Sequence, residues 1–232
     1  MMSIRLLQER HQKTQQKSNF YTPSGLHVYF KEPIINEEID VERVIAKVES
    51  AIPQHLRTEV EMIIFGHFEE FDERDINAFY DGGTLYISNI QDDEADLYDD
   101  IIHEISHSIE SAHGYEIYGD RKIKDEFLRK RRHMHDILWK SGFKAPLVSY
   151  MNTELDHEFD KFLYQKIGYD KLSSLLVGLF ISPYAATSLR EYFATGFTDF
   201  YLYSDHDALS KVSPELYKKL IMLQDVETLD NL

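Results

Sequence analysis

The chain has 232 residues, 43% of them hydrophobic, a formal net charge of −16 and no cysteine. That apolar share supports a packed core and excludes a wholly disordered chain, while the acidity argues against nucleic acid or an anionic membrane as a partner. Without cysteine there are no disulfides and no thiolate ligands, so any zinc site must use His, Asp or Glu, a donor set that favours catalytic over structural zinc.

Residues 1–20 are polar and glutamine-rich, and read as a tail or a loose first helix. They hold no apolar h-region, so no signal peptide is expected. No stretch approaches the ~18 apolar residues of a membrane span. The longest apolar run, residues 175–181, contains a glycine and is too short. The expected location is the cytoplasm, with non-classical export or packaging in a larger particle left open.

Residues 26–30 read as a strand. Asp40 is placed to cap a helix whose Val41, Val44, Ile45, Val48 and Ile52 recur at amphipathic spacing, and Pro53 follows its end. Residues 60–65 read as a second strand, with a short buried helix as the competing reading. Asp81-Gly82-Gly83-Thr84 signals a turn, and residues 84–88 a third strand.

A helix is expected over about residues 96–112, ending near Gly114. Ile101, Ile105 and Ile109 recur every four positions, and Ile102 widens that stripe. His103, His107 and Glu110 share another face, so the helix buries its isoleucines and presents its histidines. Residues 103–107 read His-Glu-Ile-Ser-His, the H-E-x-x-H pattern. Imidazoles at i and i+4 stand about one turn apart on one helix face and can both reach one Zn²⁺. The intervening Glu104 can then act as general base toward water.

Further on, residues 120–140 form a charged helical stretch carrying Arg129, Lys130, Arg131 and Arg132 in succession. In an acidic chain this run reads as a solvated helix face rather than a nucleic-acid arm. Residues 154–167 and 185–203 also look helical. Ser213-Pro214-Glu215 is an N-cap signature for a last helix over residues 214–223. No internal repeat or linker is evident. Strands come first and helices later, so the class is α+β.

A four-residue pattern arises by coincidence often enough that a third ligand is needed to make a site. Two candidates compete. Residues 103–113 match H-E-x-x-H-x-x-G-x-x-H except that Glu110 stands at the glycine position, and Ser149-Tyr150-Met151 weakly suggests a Met-turn. An uninterrupted helix would carry His113 about 9 Å beyond His107, out of reach of a shared ion. The second candidate is Glu191, within Leu189-Arg-Glu-Tyr-Phe-Ala-Thr-Gly-Phe197.

The latter segment resembles the third-ligand helix of gluzincin metallopeptidases, most closely the catalytic domain of anthrax lethal factor and its relatives. The resemblance rests on Glu191, Tyr192, Phe193, Ala194 and Phe197, and on Tyr184 seven residues before the glutamate. Residues 78–87 are similar to that family's edge strand before H-E-x-x-H. The similarity covers residues 60–205 in patches. Ser106 stands where many relatives have glycine, and Thr195 where an acidic residue is usual.

The resemblance implies a zincin-like metallopeptidase fold, a single domain over residues 21–232 after a polar tail over residues 1–20. A small N-terminal twisted sheet and the active-site helix would precede a mainly helical C-terminal part. It implies one Zn²⁺ on His103, His107 and Glu191, with Glu104 as general base and Tyr184 as an oxyanion donor. The expected activity is zinc-dependent endopeptidase hydrolysis of a protein or peptide. Nucleic acid and membrane are not expected as partners. Asp99, Asp100 and Glu110 lie close enough along the helix to support the imidazoles, and residues 84–88 would edge the site and pair with an extended peptide. The altered residues around the motif motivate the rival expectation, a catalytically inactive zincin-like structural or interaction protein.

Overall fold

The computed structural model of the chain describes residues 19–74 and 76–225. Most of the expected N-terminal tail, residues 1–18, lies outside the described residues; Asn19 and Phe20 belong to a strand. The class is α+β, with a five-stranded mixed sheet followed by a mostly helical remainder. The chain divides into two compact units, residues 1–108 and 109–232. Among the described residues, no helix is long and apolar enough to cross a membrane.

The first unit is built on strands β1 (Asn19–Tyr21), β2 (His27–Phe30), β3 (Met62–Gly66), β4 (Ala78–Asp81) and β5 (Thr84–Ser88), in the order β1-β2-β3-β5-β4. The β2–β3 and β3–β5 pairs are parallel, and the two outer pairs are antiparallel. Strand β5 is therefore interior, and β4 is the strand at that end of the sheet, which corrects the expectation that residues 84–88 form the edge. The reason is the turn. Gly82 and Gly83 both adopt positive φ, 50° and 88°, the combination a two-residue hairpin needs and side-chain-bearing residues resist. The hairpin folds β4 back along the far side of β5, leaving β5 to pair with β3.

One face of this sheet carries Val28, Ile63, Phe65, Leu85 and Ile87, all buried. Helix α1 (Val41–Ala51) covers it with Val44, Ile45 and Val48, and starts where the Asp40 side chain accepts from the Arg43 N–H. Short helix α2 is Glu69–Arg74. Phe68, Phe71, Phe79 and Tyr86 form an edge-to-face and stacked aromatic cluster on the other sheet face. Helix α3 (Glu94–Tyr118) begins at Asp93, whose carboxylate accepts from the Ala95 and Asp96 N–H groups. Ile101 and Ile105 of α3 share a cavity lining with Ile45, Val48, Ile63 and Leu85, so the isoleucine stripe faces the same core as α1 and the sheet.

Helix α3 runs past the expected stop at Gly114. It kinks at His113 (φ −117°, ψ 18°) and resumes to Tyr118. The second unit continues with α4 (Lys122–Lys140), α5 (Leu147–Tyr150), α6 (His157–Lys161), a π-helical turn at Phe162–Ile167, α7 (Tyr169–Leu175), a 3₁₀ turn at Tyr184–Ala186, α8 (Leu189–Leu202), α9 (Asp207–Val212) and α10 (Pro214–Gln224). The helix expected over residues 185–203 is thus divided. Ser188, extended at φ −150° and ψ 169°, separates the 3₁₀ turn from α8 and caps the latter by accepting from the Glu191 N–H.

The charge run on α4 is only half solvated. Arg129 and Arg132 are exposed, but Lys130 and Arg131 are buried. Their spacing explains this: Ile123, Glu126, Phe127, Lys130, Arg131, Met134 and Leu138 form one helix face. Buried charge is tolerated only with hydrogen-bond partners. Lys130 Nζ donates to the carbonyls of Leu179 and Val212 at 2.7 and 2.5 Å and to Ser213 Oγ at 3.1 Å, and burial pulls it down to about 8. The Glu126 carboxylate accepts from the Tyr192 hydroxyl at 2.8 Å and from the Glu215 and Leu216 N–H groups at 3.0 and 3.2 Å. Glu126 therefore caps α10 from another helix. Ser213, expected as the cap, makes no side-chain cap bond and accepts from Lys130 instead.

Removing Glu126 leaves buried donors of α10 and Tyr192 without their acceptor. Glu126→Ala is expected to lower unfolding free energy by about 3 kcal/mol in urea titrations, with Glu126→Gln losing less. A loss well below 1 kcal/mol for the alanine variant would remove Glu126 from this role.

Candidate metal centre

On α3, residues 97–109 place Leu97, Tyr98, Ile101, Ile102, Ile105 and Ile109 in the core. The helical repeat then turns His103 and His107 onto a less buried face. Their ring centroids lie 5.1 Å apart with planes at 80°. Glu104 is nearly buried, at 7% exposure. Ser106, the residue in place of glycine, is fully buried, and its hydroxyl donates to the His103 carbonyl at 2.5 Å. The helix backbone thus satisfies the added hydroxyl, and Ser106 disturbs neither histidine's place in the helix.

Glu191 sits in the first turn of α8, its N–H held by Ser188 Oγ at 3.1 Å. The ligand atoms of His103, His107 and Glu191 lie within 4.8 Å of one another, and all three residues are half-buried. This group could hold a metal ion. Atoms bound at roughly 2 Å to one ion stand about 3–4 Å apart, and the 4.8 Å limit of this group is near that range. Two imidazoles and a carboxylate suit a divalent first-row metal. His113 is not in this group; it occupies the kink of α3. The Ser149 and Tyr150 carbonyls, in the segment weakly suggestive of a Met-turn, accept from Arg131.

Tyr184 opens the 3₁₀ turn and is 37% exposed. Its carbonyl accepts from the Thr187 N–H at 3.0 Å and the Thr187 hydroxyl at 2.8 Å. Arg131 fastens the same turn: its guanidinium donates to the Ala186 carbonyl and, at 3.1 Å, to that of Thr187. Its remaining bonds reach the Tyr150 and Ser149 carbonyls at 3.0 and 2.7 Å. Burial lowers the guanidinium to about 10. Sequence reasoning missed this residue because a basic run carries no signal of which member is inside.

The three expected supporting carboxylates have different surroundings. Asp99 is an electrostatic neighbour of His103; burial raises its carboxyl above the ordinary value while the histidine opposes that rise. Asp100 accepts from Gln91 Nε2 at 3.0 Å. Burial pushes it up to about 7 against the Gln91 hydrogen bond, with Asp96, Asp99 and Glu104 adding like charge. Glu110 accepts from the Tyr118 hydroxyl through one oxygen and from Arg190 Nε through the other, each at 2.5 Å. Gln91, Tyr118 and Arg190 were not legible as site neighbours, since each owes its place to side-chain packing.

No protein-family model matches the chain, and no curated protein or solved structure does.

The Asp100 carboxyl generates a pH prediction for the metal-free protein. Its value is about 7 when folded against an ordinary 3.8, so between these limits the folded chain holds a proton that the unfolded chain releases. Stability from this group is complete below about 4 and is lost as pH rises through 7. Asp100→Asn should therefore gain thermal stability over wild type at pH 8, by an amount that shrinks toward pH 4. Parallel melting-temperature profiles for the two proteins would refute the assignment.

Proposed function

We propose that the chain is a zinc-dependent endopeptidase of the gluzincin type, with a zincin-like fold and a protein or peptide substrate. The single observation that carries this reading is the grouping of Glu191 with the two histidines of H-E-x-x-H. A His₂Glu set leaves a coordination position open, as catalytic rather than structural zinc requires. When bound there, Zn²⁺ supplies Lewis acidity, lowering the pKa of water and polarising a carbonyl.

The chain's own residues do the remaining work. Glu104, one residue after His103, takes the proton of the attacking water on its carboxylate and passes it to the departing amine nitrogen. Its low exposure strengthens that interaction by excluding competing solvent. The Tyr184 hydroxyl donates to the oxyanion that develops on the scissile carbonyl oxygen. The Arg131 bonds to Ala186 and Thr187 support this role, because they fix the turn that carries Tyr184.

Wild-type protein is expected to bind one equivalent of Zn²⁺ and to cleave members of a mixed peptide library read by mass spectrometry. Glu104→Gln should keep the metal and lose at least about 10²-fold in cleavage rate. Unchanged cleavage would rule out Glu104 as the base. A well-folded wild type that takes up no Zn²⁺ would instead support the non-catalytic, zincin-like interaction protein. Separately, Glu191→Ala should lose or greatly weaken zinc binding in equilibrium dialysis; tight stoichiometric zinc in that variant would return the third-ligand role to His113.

A further inference from the structure

Arg190 immediately precedes the third-ligand residue, and although its side chain is 57% exposed it is tied to a partly buried carboxylate. Its Nε donates to Glu110 Oε2 at 2.5 Å, and the Glu110 side chain is only 12% exposed. The other Glu110 oxygen accepts from Tyr118 at the same distance. Tyr118 in turn packs against Phe193 of α8, ring centroids 6.2 Å apart, and Phe193 is fully buried. One carboxylate on α3 thus takes a donor from the end of its own helix, Tyr118, and a second from the first turn of α8, Arg190, and the latter bond joins the two helices. Consecutive helical residues differ by a fixed rotation of about 100°, so holding Arg190 in one direction fixes the direction of Glu191.

Charge adds to this. Arg190 interacts electrostatically with both Glu110 and Glu191, and Tyr118 faces the same two carboxylates. Arg190 is therefore a cation that interacts with both carboxylates and is hydrogen-bonded to one of them, Glu110.

We propose that Glu110 and Arg190 act as a positioning pair for the metal ligand Glu191, with Tyr118 completing the bracket. This rests on the reading of His103, His107 and Glu191 as a zinc site. Supporting residues around metal ligands commonly change affinity by about 10–100-fold when removed. The pair also gives a role to Glu110, which stands where the longer H-E-x-x-H-x-x-G-x-x-H pattern has glycine. In this chain the residue three after His107 anchors the helix bearing the distant ligand, and no chain reversal toward His113 is needed.

The test is Zn²⁺ affinity of the full chain, measured by competition with a chromogenic chelator, for wild type, Arg190→Ala, Arg190→Lys, Glu110→Gln, the Ala/Gln double variant and Glu191→Ala. The expected result is about 10–100-fold weaker zinc for Arg190→Ala and for Glu110→Gln, partial recovery with lysine, and no further loss in the double variant. Melting temperatures in chelator separate this from unfolding; if the alanine variant fails to fold, the near-isosteric Glu110→Gln decides. Wild-type affinity in Glu110→Gln, alongside weakened zinc in Glu191→Ala, would overturn the positioning pair while leaving the zinc site intact. Equal affinity in wild type and Glu191→Ala would overturn the ligand assignment itself, and the pair with it.

Discussion

The Arg131 side chain has no exposed surface, and a guanidinium in that position must direct its donors to protein acceptors. It meets the requirement entirely with main-chain carbonyls, those of Ser149, Tyr150, Ala186 and Thr187. Four carbonyls from two distant segments therefore converge on one helix face of α4. One of those segments is the turn of Tyr184, and it leads directly into the cap of α8 at Ser188. The aromatic faces of Phe127 and Phe159 flank the same guanidinium, at 5.3 and 4.2 Å, which suits a planar, weakly hydrated cation better than an ammonium.

Glu126 and Lys130 extend this logic along α4. Each is buried, and each satisfies groups that regular secondary structure leaves over: the first N–H groups of α10, and the carbonyls of Leu179 and Val212. The helical unit is thus held by side chain to backbone bonds from a single helix as well as by its aromatic core. Such bonds demand particular geometry, whereas apolar contacts tolerate sliding. The loops between the short C-terminal helices consequently have defined positions despite little regular structure.

Helix α3 makes a different compromise. Its isoleucines bury one side so completely that His103 and His107 can face outward without loss of anchorage. The two serines of the motif region, Ser106 and Ser108, return their hydroxyls to the carbonyls of His103 and Ile105. The axis changes direction at His113; before it Glu110 accepts from Arg190 in the first turn of α8, and after it Tyr118 donates to Glu110 and packs against Phe193. A regular helix thus presents the two imidazoles, and its later turns present the carboxylate that meets Arg190.

The sequence by itself determined whatever is governed by local periodicity. The capped α1, the paired-glycine turn, the α+β order and the facing histidines all follow from spacing and turn chemistry within a few residues. The glutamate at 191 was legible only through the resemblance of its surroundings. Tertiary structure decided the rest. It grouped Glu191 rather than His113 with the imidazoles, put β4 outside β5, split residues 185–203 at Ser188, and buried Lys130 and Arg131 from a run that reads as uniformly solvated. Local pattern reports which face of a helix a residue occupies; whether a charge there finds carbonyls or water depends on segments 18 to 82 residues away, whose placement no local window contains.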